Sequence, residues 1–295
     1  VKGSQEPFGG MQVVLVGDFF QLPPVFKQSF EQDPQAEMFE EKPLRFAYHS
    51  PIWEQAEFVT CYITEQHRQD DSTLLSLLGK IRTNKFDNAA LASLEKRRIN
   101  PGNFPPNAPK LYSHNLDVDL VNAQTLEKIK GKDKCFAMQA TGHDRLIAVM
   151  MKGCLSPENL YLKVGAAVMF TKNNQKEGYF NGTLGIVESF ADNGMPVVEL
   201  RDGRKVEVES AAWTVEEDGR LKGVLNQLPL RLAWAITVHK SQGISLDEAV
   251  IDLSKVFEFG QGYVALSRVR RLSGIHIVGW NNVAFQVDPE ILDAD

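Results

Sequence analysis

The sequence predicts an α/β protein with a parallel sheet, into which a small antiparallel β region is inserted. Three short apolar runs support the parallel sheet, namely RLAWAIT, EAVIDL and GIHIVG, because strands that are buried on both faces lack polar alternation. From about residue 175 to 226, apolar and polar residues alternate instead, as they do in half-buried antiparallel strands. Segments with helical spacing of apolar residues accompany these runs.

Length and composition limit the class of protein. The chain has 295 residues, of which 43% are hydrophobic, and it can bury a sizeable core. Its net charge of −6 argues against a protein that holds nucleic acid by bulk charge, but it allows a narrow single-strand channel with a few phosphate contacts. No apolar run approaches the ~20 residues of a membrane-spanning helix, so we expect no membrane partner.

The three cysteines, Cys61, Cys135 and Cys154, are odd in number and lack CxxC spacing. This pattern predicts neither a disulfide framework nor a zinc site. Free thiols are typical of a reducing compartment, so we expect an intracellular protein.

The predicted first strand is MQVVLVGD (11–18), a continuous apolar run that ends in Gly-Asp. FFQLPPV follows it, and Pro23 and Pro24 stop any helix and stiffen the exit. We therefore expect Gln21 at the carboxyl end of this strand. The residues alone leave open a proline-rich turn with a solvent-facing Gln.

Four further elements are predicted before the middle of the chain. AYHSPIWEQAE (47–57) predicts a helix, and FVTCYITE (58–65) predicts a strand with Arg68 just past its end. STLLSLLGKIRT (72–83) and FDNAALASLEKRR (86–98) have helical apolar spacing and predict a packed helical pair. On its own, an arginine placed like Arg68 is usually a surface residue.

The middle of the chain changes from helical to strand patterns. PKLYSHN followed by LDVDLVNAQTLEKI predicts a strand-to-helix unit, and LYLKVGAAVMFTKN (160–173) predicts another strand. FNGTLGIVESF, MPVVELRDG, RKVEVES and AAWTVEEDG then predict antiparallel strands, with hairpin-type turns at FNG and RDGR. These strands predict a small inserted β-barrel, after which PLRLAWAIT returns to the parallel sheet.

Polar residues follow the ends of the predicted parallel strands. One group comes after RLAWAI and a second lies about 20 residues further on: Thr237, His239, Lys240, Ser241 and Gln242, then Gln261, Tyr263, Ser267 and Arg268. In open α/β sheets ligands bind outside the carboxyl ends of the strands, so two polar clusters there predict a phosphate-rich ligand. Taken separately, HKSQG is also compatible with a polar helix start and SRVRR with a solvated basic face.

TVHKSQG followed by YVALSRV resembles the fifth and sixth motifs of superfamily 1 helicases, in the Pif/RecD-like branch. GDFFQLPPV is similar to the third motif of that branch, and ITEQHRQDD to the fourth. The resemblance implies a RecA-like parallel-sheet helicase core with the carboxyl-terminal part of a first domain at 1–58 and a complete second domain at 59–171 and 227–295. It also implies a Src-homology-3-like barrel at 172–226.

The resemblance implies a set of nucleotide contacts. Gln21 is expected to sense the γ-phosphate of ATP, and Arg68 to reach the nucleotide across a domain cleft. Arg268, by its place in YVALSR, is expected to act as an arginine finger with Arg68 beside it. Gln242 and Gly243 are expected to couple bound DNA to the nucleotide.

The resemblance also implies DNA contacts at two places along the chain. Thr237 and His239 are expected to lie towards the DNA, with Lys240 and Ser241 beside them. A short polar string after a strand in these helicases touches the DNA backbone, and its counterparts here are Ser113, His114 and Asn115. No residue of this chain is predicted to ligate a metal.

The sequence lacks the phosphate loop GxxxxGK[ST], since GKIR (79–82) and GKDK (131–134) have neither the leading Gly nor the Ser/Thr. The Asp-Glu pair that would hold Mg²⁺ is also absent, because Asp247-Glu248 precedes a predicted strand instead of ending one. We therefore expect a fragment: the main ligands of ATP and Mg²⁺ would lie in an amino-terminal helicase half outside this chain. Alone, the chain is expected not to hydrolyse ATP.

The function implied is part of an ATP-dependent 5′-to-3′ DNA helicase. It would move on single-stranded DNA and unwind forks, RNA–DNA hybrids or G-quadruplexes in replication, repair, recombination or telomere maintenance. A non-catalytic single-stranded DNA-binding or regulatory module remains an alternative, whereas a metabolic α/β protein is disfavoured by the ordered motifs. The expected location is cytoplasmic in a bacterium, and nuclear or mitochondrial in a eukaryote.

Overall fold

Regular structure accounts for most of the chain from Ser72 onwards. A computed structural model describes residues 6–24, 45–100, 102–105, 108–217 and 219–294. The helices are α1 (Pro51–Gln55), α2 (Ser72–Arg82), α3 (Asn88–Glu95), α4 (Asn115–Lys128), α5 (Asp144–Gly153), α6 (Gln261–Ser267) and α7 (Pro289–Ala294). The strands are β1 (Lys110–Tyr112), β2 (Lys134–Ala137), β3 (Gln139–Gly142), β4 (Asn159–Leu162), β5 (Ala167–Phe170), β6 (Leu184–Phe190), β7 (Pro196–Leu200), β8 (Lys205–Glu207), β9 (Ala211–Glu217), β10 (Arg220–Gln227), β11 (Leu230–Leu232), β12 (Ala235–Thr237), β13 (Ala249–Leu253) and β14 (Ile275–Trp280).

A four-stranded parallel sheet has the order β12-β1-β13-β14. Its central side chains Leu111, Ile236, Ile251 and Ile277 are completely buried. These strands are the predicted apolar runs, and helices cover the sheet as burial of both faces requires. The predicted parallel α/β core is confirmed, and the carboxyl ends of its strands lie along one edge.

The two predicted helices α2 and α3 both begin at an aspartate cap. Asp71 accepts hydrogen bonds from the backbone N–H groups of Thr73 and Leu74, at 2.9 and 3.1 Å. Asp87 accepts one from Ala90 at 2.8 Å. Each cap satisfies donors that the first helical turn leaves unpaired, which fixes where the helix begins. Both helices contribute apolar residues to the core of the parallel sheet.

The predicted antiparallel strands are also present. Strands β11, β5, β6, β7 and β8 form one five-stranded sheet in that order, over a second apolar core, and RDGR forms the turn between β7 and β8. The sheet takes in β5 and β11, which lie outside the predicted 172–226 segment. Among the described residues β11 and β8 remain its edges, so Src-homology-3-like closure and the domain boundaries stay predictions.

A second antiparallel sheet, β3-β10-β9, carries α5 across one face. Gly223 of β10 lets the helix approach closely, since a Cβ atom there would lie 2.7 Å from Met150 Sδ. The segment KCFAMQA is divided between β2, which pairs with β4, and β3, which pairs with β10. The sequence did not predict α5 or the third strand β10.

Two predicted strands are wrong. Residues 11–18 and 58–65 pair with no strand among the residues that the structure describes. Their apolar side chains are exposed, with Val16 at 85% and Val59 at 89%. An apolar segment becomes a strand only where a neighbour accepts and donates its backbone hydrogen bonds, and the described chain supplies no such neighbour here.

The predicted helix at 47–57 is shorter than expected. A 3-10 turn covers Ala47–His49, and α1 starts after Ser50, whose Oγ accepts from the Ile52 N–H at 3.3 Å.

No described helix has the length and apolar character that crossing a membrane requires.

Candidate functional site

The loop at residues 18–21 lies against the carboxyl edge of the parallel sheet. Gln242 Nε2, after β12, donates to Gln21 Oε1 at 3.1 Å. Gln21 Nε2 in turn donates to Asp18 Oδ2 at 3.2 Å. Two residues that the sequence assigned to one nucleotide site, Gln21 and Gln242, are therefore in direct contact, although the predicted strand before Gln21 does not form.

Arg82 extends this chain of contacts and was not predicted. Its Nη1 donates to both Asp18 carboxylate oxygens, at 2.9 and 2.8 Å, and to Tyr263 Oη at 3.1 Å. The guanidinium also lies 4.1 Å from the ring centroid of Phe20. Burial lowers the pKa of Arg82, but Tyr263 and Asp18 outweigh it and hold that pKa above its ordinary value. Arg82 thus joins the 18–21 loop to α2 and α6.

Gly260 makes room for the same loop. Its φ of +80° is unfavourable for residues with a side chain, and an added Cβ would lie 2.8 Å from the Phe20 carbonyl and 3.0 Å from the Gln21 carbonyl. Only glycine permits this approach between the start of α6 and the loop. The position of Gln21 therefore depends on Gly260 as well as on Asp18.

Arg268 and Arg68 lie close enough for their charges to interact. Arg268 is only 1% exposed and donates from Nε to the Val264 carbonyl at 2.9 Å and from Nη2 to Ser267 Oγ at 2.8 Å. Arg68 Nε donates to Ser245 Oγ at 3.1 Å. Burial, and then repulsion from Arg68, lowers the pKa of Arg268 to about 10.

Gln69, next to Arg68, is a second residue that the sequence did not single out. Its side-chain amide is buried and donates to the Ser267 carbonyl at 2.8 Å. This bond fixes the loop that carries Arg68 onto the end of α6. Gln69 therefore joins the segment that carries Arg68 to the residue before Arg268.

The 3-10 turn His239–Ser241 follows β12 and has an internal hydrogen-bond network. Thr237 Oγ1 accepts from the Lys240 N–H at 3.2 Å, and Ser241 Oγ donates to the Val238 carbonyl at 2.7 Å. Thr237 and Ser241 are buried, so they shape the turn and present no surface in this structure. Gly243 ends the turn with a φ of +84° and no atom near its Cβ position.

An aromatic stack lies beside this turn. His114 and Phe257 have ring centroids 4.8 Å apart, and His239 lies 6.3 Å from Phe257 on a nearly parallel plane. Phe257 is 57% exposed. Burial lowers the pKa of His239, which Glu258 partly offsets. Phe257 was not predicted, because its two partners, His114 and His239, come from other segments of the chain.

The three polar residues that follow β1 lie in different environments. Ser113 is buried, and its Oγ has no hydrogen-bond partner among the described residues. His114 is exposed and its Nε2 lies 3.1 Å from the Lys255 carbonyl oxygen, while Asn115 is exposed at the start of α4. His114 thereby lies beside Phe257, as His239 does, and its contact with DNA stays a prediction.

The donor set indicates which groups this site fits. Guanidinium and amide N–H groups of Gln21, Arg68, Gln242 and Arg268 are suited to phosphate oxygens. The described residues contain no group of three or more His, Cys, Asp or Glu placed to hold a metal ion. The residues at hand therefore fit the phosphates of a nucleotide but do not provide a carboxylate set for Mg²⁺.

Comparison with known proteins agrees with the motifs. The family model described as PIF1-like helicase matches residues 1–92, and the model of the DNA helicase Pif1 2B domain matches residues 149–190. The chain is 35% identical to ATP-dependent DNA helicase Pif1 of Psychrobacter sp. (strain PRwf-1), over 100% of this chain and 52% of that protein. It spans about half the length of the curated relatives it matches, 52% and 44% for two of them.

Solved structures match over nearly the whole chain. Bacteroides sp Pif1 in complex with ADP-AlF4 matches with a TM-score of 0.81 and 30% identity, covering 99% of this chain and 67% of that one. Bacteroides Pif1 bound to ssDNA matches with a TM-score of 0.67 and 30% identity, with the same coverage of 99% and 67%. The fold is therefore a RecA-like α/β helicase core. The chain belongs to the Pif1-like helicases, in the Pif/RecD-like branch of superfamily 1.

Proposed function

We propose that this chain is the carboxyl-terminal portion of an ATP-dependent DNA helicase that moves 5′-to-3′ on single-stranded DNA. The observation that carries the proposal is the contact between Gln21 and Gln242, which joins the third-motif loop to the turn after β12. Related Pif1 structures were solved with ADP-AlF4 and with ssDNA. An ATP-driven motor needs a connection between its nucleotide site and its DNA site, and the contact between the third-motif loop and this turn would provide it.

On the nucleotide side, the protein would catalyse hydrolysis by positioning the ATP and by stabilising the negative charge of the transition state. ATP hydrolysis passes through a transition state that spreads negative charge over the γ-phosphate oxygens, and a positioned arginine accelerates it by roughly 10³–10⁵. Arg268 and Arg68 would supply that charge, with Gln21, Gln242 and Gly243 beside them. Arg268 would leave the Val264 carbonyl to reach the phosphate. The phosphate loop and the Mg²⁺ ligands would come from an amino-terminal half, and this chain alone would not turn over ATP.

On the DNA side, His114 and His239 lie beside Phe257, and Lys240 follows His239 in the turn after β12. Single strands bind to such surfaces by stacking of bases on aromatic rings and by phosphate contacts. Asn115 is exposed and completes the proposed contact region, whereas Thr237, Ser241 and Ser113 are buried and would support that region without touching the DNA. The substrates proposed are forks, RNA–DNA hybrids and G-quadruplexes in replication, repair, recombination or telomere maintenance. The proposed location is cytoplasmic in a bacterium, and nuclear or mitochondrial in a eukaryote.

The test is DNA-stimulated ATP hydrolysis by this chain alone and by the chain joined to the upstream coding sequence of its gene. We expect no turnover by the chain alone and turnover by the joined protein. Arg268→Lys in the joined protein should lower kcat by about 10³, because the amine keeps the charge but loses the planar fork. Arg270→Lys is the control, since Arg270 is exposed and forms an ion pair with Asp247.

Directionality has its own readout. The joined protein should unwind a duplex with a 5′ single-stranded tail and leave one with a 3′ tail intact. If the joined protein binds single-stranded DNA but never hydrolyses ATP, the helicase proposal fails. The non-catalytic DNA-binding module then takes its place.

A further inference from the structure

The turn at residues 180–183, between β5 and β6, lies against the loop that follows β12. Gly182 of this turn is buried and has a φ of +94°, a conformation that disfavours residues with a side chain. A Cβ atom there would lie 2.6 Å from Ile244 Cγ2 and 2.7 Å from Ile244 Cβ. Ile244 is only 1% exposed, so it has little room to move away. Glycine is therefore required where the turn meets Ile244.

Backbone hydrogen bonds hold this turn to the five-stranded sheet. The Gly182 N–H donates to the Phe170 carbonyl at 2.9 Å, and the Phe170 N–H donates to the Thr183 carbonyl at 2.9 Å. Thr183 Oγ1 accepts from the Phe180 N–H, also at 2.9 Å. Because Phe170 is the last residue of β5, these bonds fix the turn to that strand. A displacement of the five-stranded sheet would therefore reach Ile244 through Gly182.

Ile244 is followed by two residues that contact the proposed nucleotide arginines. Ser245 Oγ accepts from Arg68 Nε at 3.1 Å. The Leu246 N–H, one residue further, donates to the Arg268 carbonyl at 2.8 Å. A backbone shift at Ile244 would therefore act on both arginines within two residues.

The residues before Ile244 lead to the third-motif loop. Gln242 Nε2 donates to Gln21 Oε1 at 3.1 Å, two residues away from Ile244 along the chain. The loop 242–246 thus has one close contact with the five-stranded sheet, and three hydrogen bonds with residues assigned to the nucleotide. It connects the sheet to the proposed site.

An ion pair crosses the same boundary and is the weaker connection. Arg201 Nη1, in the turn between β7 and β8, lies 3.8 Å from Asp247 Oδ2, and the two side chains are 38% and 64% exposed. Exposed pairs contribute little, because solvent screens them and their long side chains lose conformational freedom. The tight packing of Gly182 on Ile244 is therefore the contact that transmits a displacement.

We propose that Gly182 is a positioning residue, through which the five-stranded sheet sets the places of Arg68 and Gln242 in the proposed nucleotide site. The proposal rests on the ATPase function proposed above and adds a means of regulating it. A movement of the sheet would shift the loop 242–246 and slow hydrolysis, since misplacing a catalytic group by about 1 Å can cost roughly 10²-fold in rate. The sheet would thereby control hydrolysis without touching the nucleotide.

The first experiment needs only this chain and reports the position of Arg68. The Arg68 Nε–H group gives a cross-peak in an arginine Nε–Hε correlation spectrum, and the loss of that cross-peak in Arg68→Lys identifies it. Gly182→Ala should shift the cross-peak, because a displaced loop changes the bond to Ser245 Oγ. Gly194→Ala is the matched control and should leave the cross-peak in place. Gly194 has a φ of +84°, and the nearest atom to an added Cβ is Lys134 Nζ, at 3.7 Å.

The second experiment measures DNA-stimulated ATP hydrolysis by the joined protein, well below its melting temperature. Gly182→Ala should lower kcat by about 10- to 100-fold, because the arginines are misplaced. The KM for ATP should change by less than about twofold, since the phosphate loop expected upstream holds the ground state. Gly194→Ala should keep the parent kcat, although both substitutions introduce backbone strain.

Variants of Ile244 decide the case in which Gly182→Ala does not fold. Ile244→Leu has no methyl group on Cβ and loses the Cγ2 atom that faces Gly182, whereas Ile244→Val keeps that atom. Ile244→Leu should therefore lower kcat severalfold, and more than Ile244→Val does. Combined with Gly182→Ala, Ile244→Leu should restore much of the kcat and return the Arg68 cross-peak towards its parent position, because the clash with Cγ2 is gone.

The contrary results differ in meaning. A parent kcat in Gly182→Ala, with or without a lower melting temperature, makes the contact merely structural and refutes the positioning role. Equal losses of kcat in Gly182→Ala and Gly194→Ala refute it too, because backbone strain then explains both. A fall in kcat with an unmoved Arg68 cross-peak refutes the route through Arg68.

Two outcomes remain. Where Gly182→Ala does not fold, equal kcat values for Ile244→Leu and Ile244→Val refute the positioning role. If the cross-peak moves but the joined parent never hydrolyses ATP, the proposed ATPase function has failed, and Gly182 positions no nucleotide site.

Discussion

Arg82, the last residue of α2, holds Asp18 with two hydrogen bonds of 2.9 and 2.8 Å. The two residues belong to the parts of the chain that the motifs assign to different motor domains. Asp18 also accepts from Gln21, so the ion pair orients the side chain that is proposed to sense the γ-phosphate. A single arginine therefore couples α2 to the third-motif loop.

Arg82→Gln should destabilise the chain by about 1–3 kcal/mol, because the Asp18 carboxylate is left partly buried without its cation. Urea unfolding at pH 7 measures the change. Lys80→Gln, on the same helix, removes the exposed pair with Asp87 and should have a much smaller effect. Equal losses in the two variants would show that the Arg82 pair is an ordinary surface contact.

Gly260→Ala should cost more stability than Gly203→Ala. Both glycines have φ near +80°, so both changes introduce backbone strain of order 1 kcal/mol. Only at Gly260 does the new Cβ also meet the Phe20 and Gln21 carbonyls, whereas nothing lies within 4 Å at Gly203. Thermal unfolding of the two variants isolates the cost of the close approach. A Gly260→Ala chain as stable as Gly203→Ala would mean that the 18–21 loop does not rest on α6.

Asp71→Asn should weaken the fold at neutral pH and have a smaller effect in acid. Burial raises the pKa of Asp71, but bonds from the Leu272, Leu74 and Thr73 N–H groups outweigh it and hold that pKa below its ordinary value. A depressed carboxyl pKa adds stability above the unfolded value of about 3.9, and this stability disappears as the pH falls through the folded pKa. We expect a difference of about 1 kcal/mol at pH 7 that shrinks as the pH falls below the unfolded value.

Urea titrations from pH 3 to pH 7 measure that difference. Asp192→Asn, at an exposed turn, is the control and should follow the parent at every pH. A difference between Asp71→Asn and the parent that is as large at pH 3 as at pH 7 would show that the charge of Asp71 is not responsible.

Phe257→Ala should weaken binding of oligo(dT) by about 1–3 kcal/mol, the usual contribution of one stacked base. Phe257 presents its ring beside His114 and His239, where a base can stack on the exposed part. Fluorescence anisotropy measures the affinity. Tyr161→Ala removes another exposed aromatic, on β4, and should leave binding unchanged. If the two variants bind alike, the stack serves only to position the two histidines.

Elements that carry their own local signal were predictable from the sequence. The aspartate caps before α2 and α3 and the apolar runs of the parallel sheet determine structure within a few residues. The strands predicted at 11–18 and 58–65 are wrong for a physical reason. Apolar composition indicates a preference for burial, but it does not show whether a partner strand is present. Helix α5 escaped prediction because its packing depends on Gly223, far along the chain.

The sequence predicted those residues of the candidate site that lie in recognisable motifs. Gln21 and Gln242 were assigned to one site and touch each other. Arg82 and Gln69 were missed, because nothing next to them in sequence distinguishes them from surface residues. Their importance comes from partners on other elements, Asp18 for one and the end of α6 for the other. Ser241 is the opposite case. It belongs to a motif, but its buried hydroxyl donates to the backbone of the turn and supports that turn.

The pairing of β1 with β12 also determines the order in which the chain can fold. Lys110 pairs with Ala235, and Lys110 also pairs with Val250, so the centre of the parallel sheet waits for segments that leave the ribosome much later. Among the strands between them, the β9–β10 hairpin and the β6–β7–β8 meander pair near neighbours, whereas β3 pairs with β10 and β5 pairs with β11 across long stretches of the chain. Local pairs close at low entropic cost and form fast. During synthesis these local hairpins can therefore form before the parallel sheet that carries the motifs is complete.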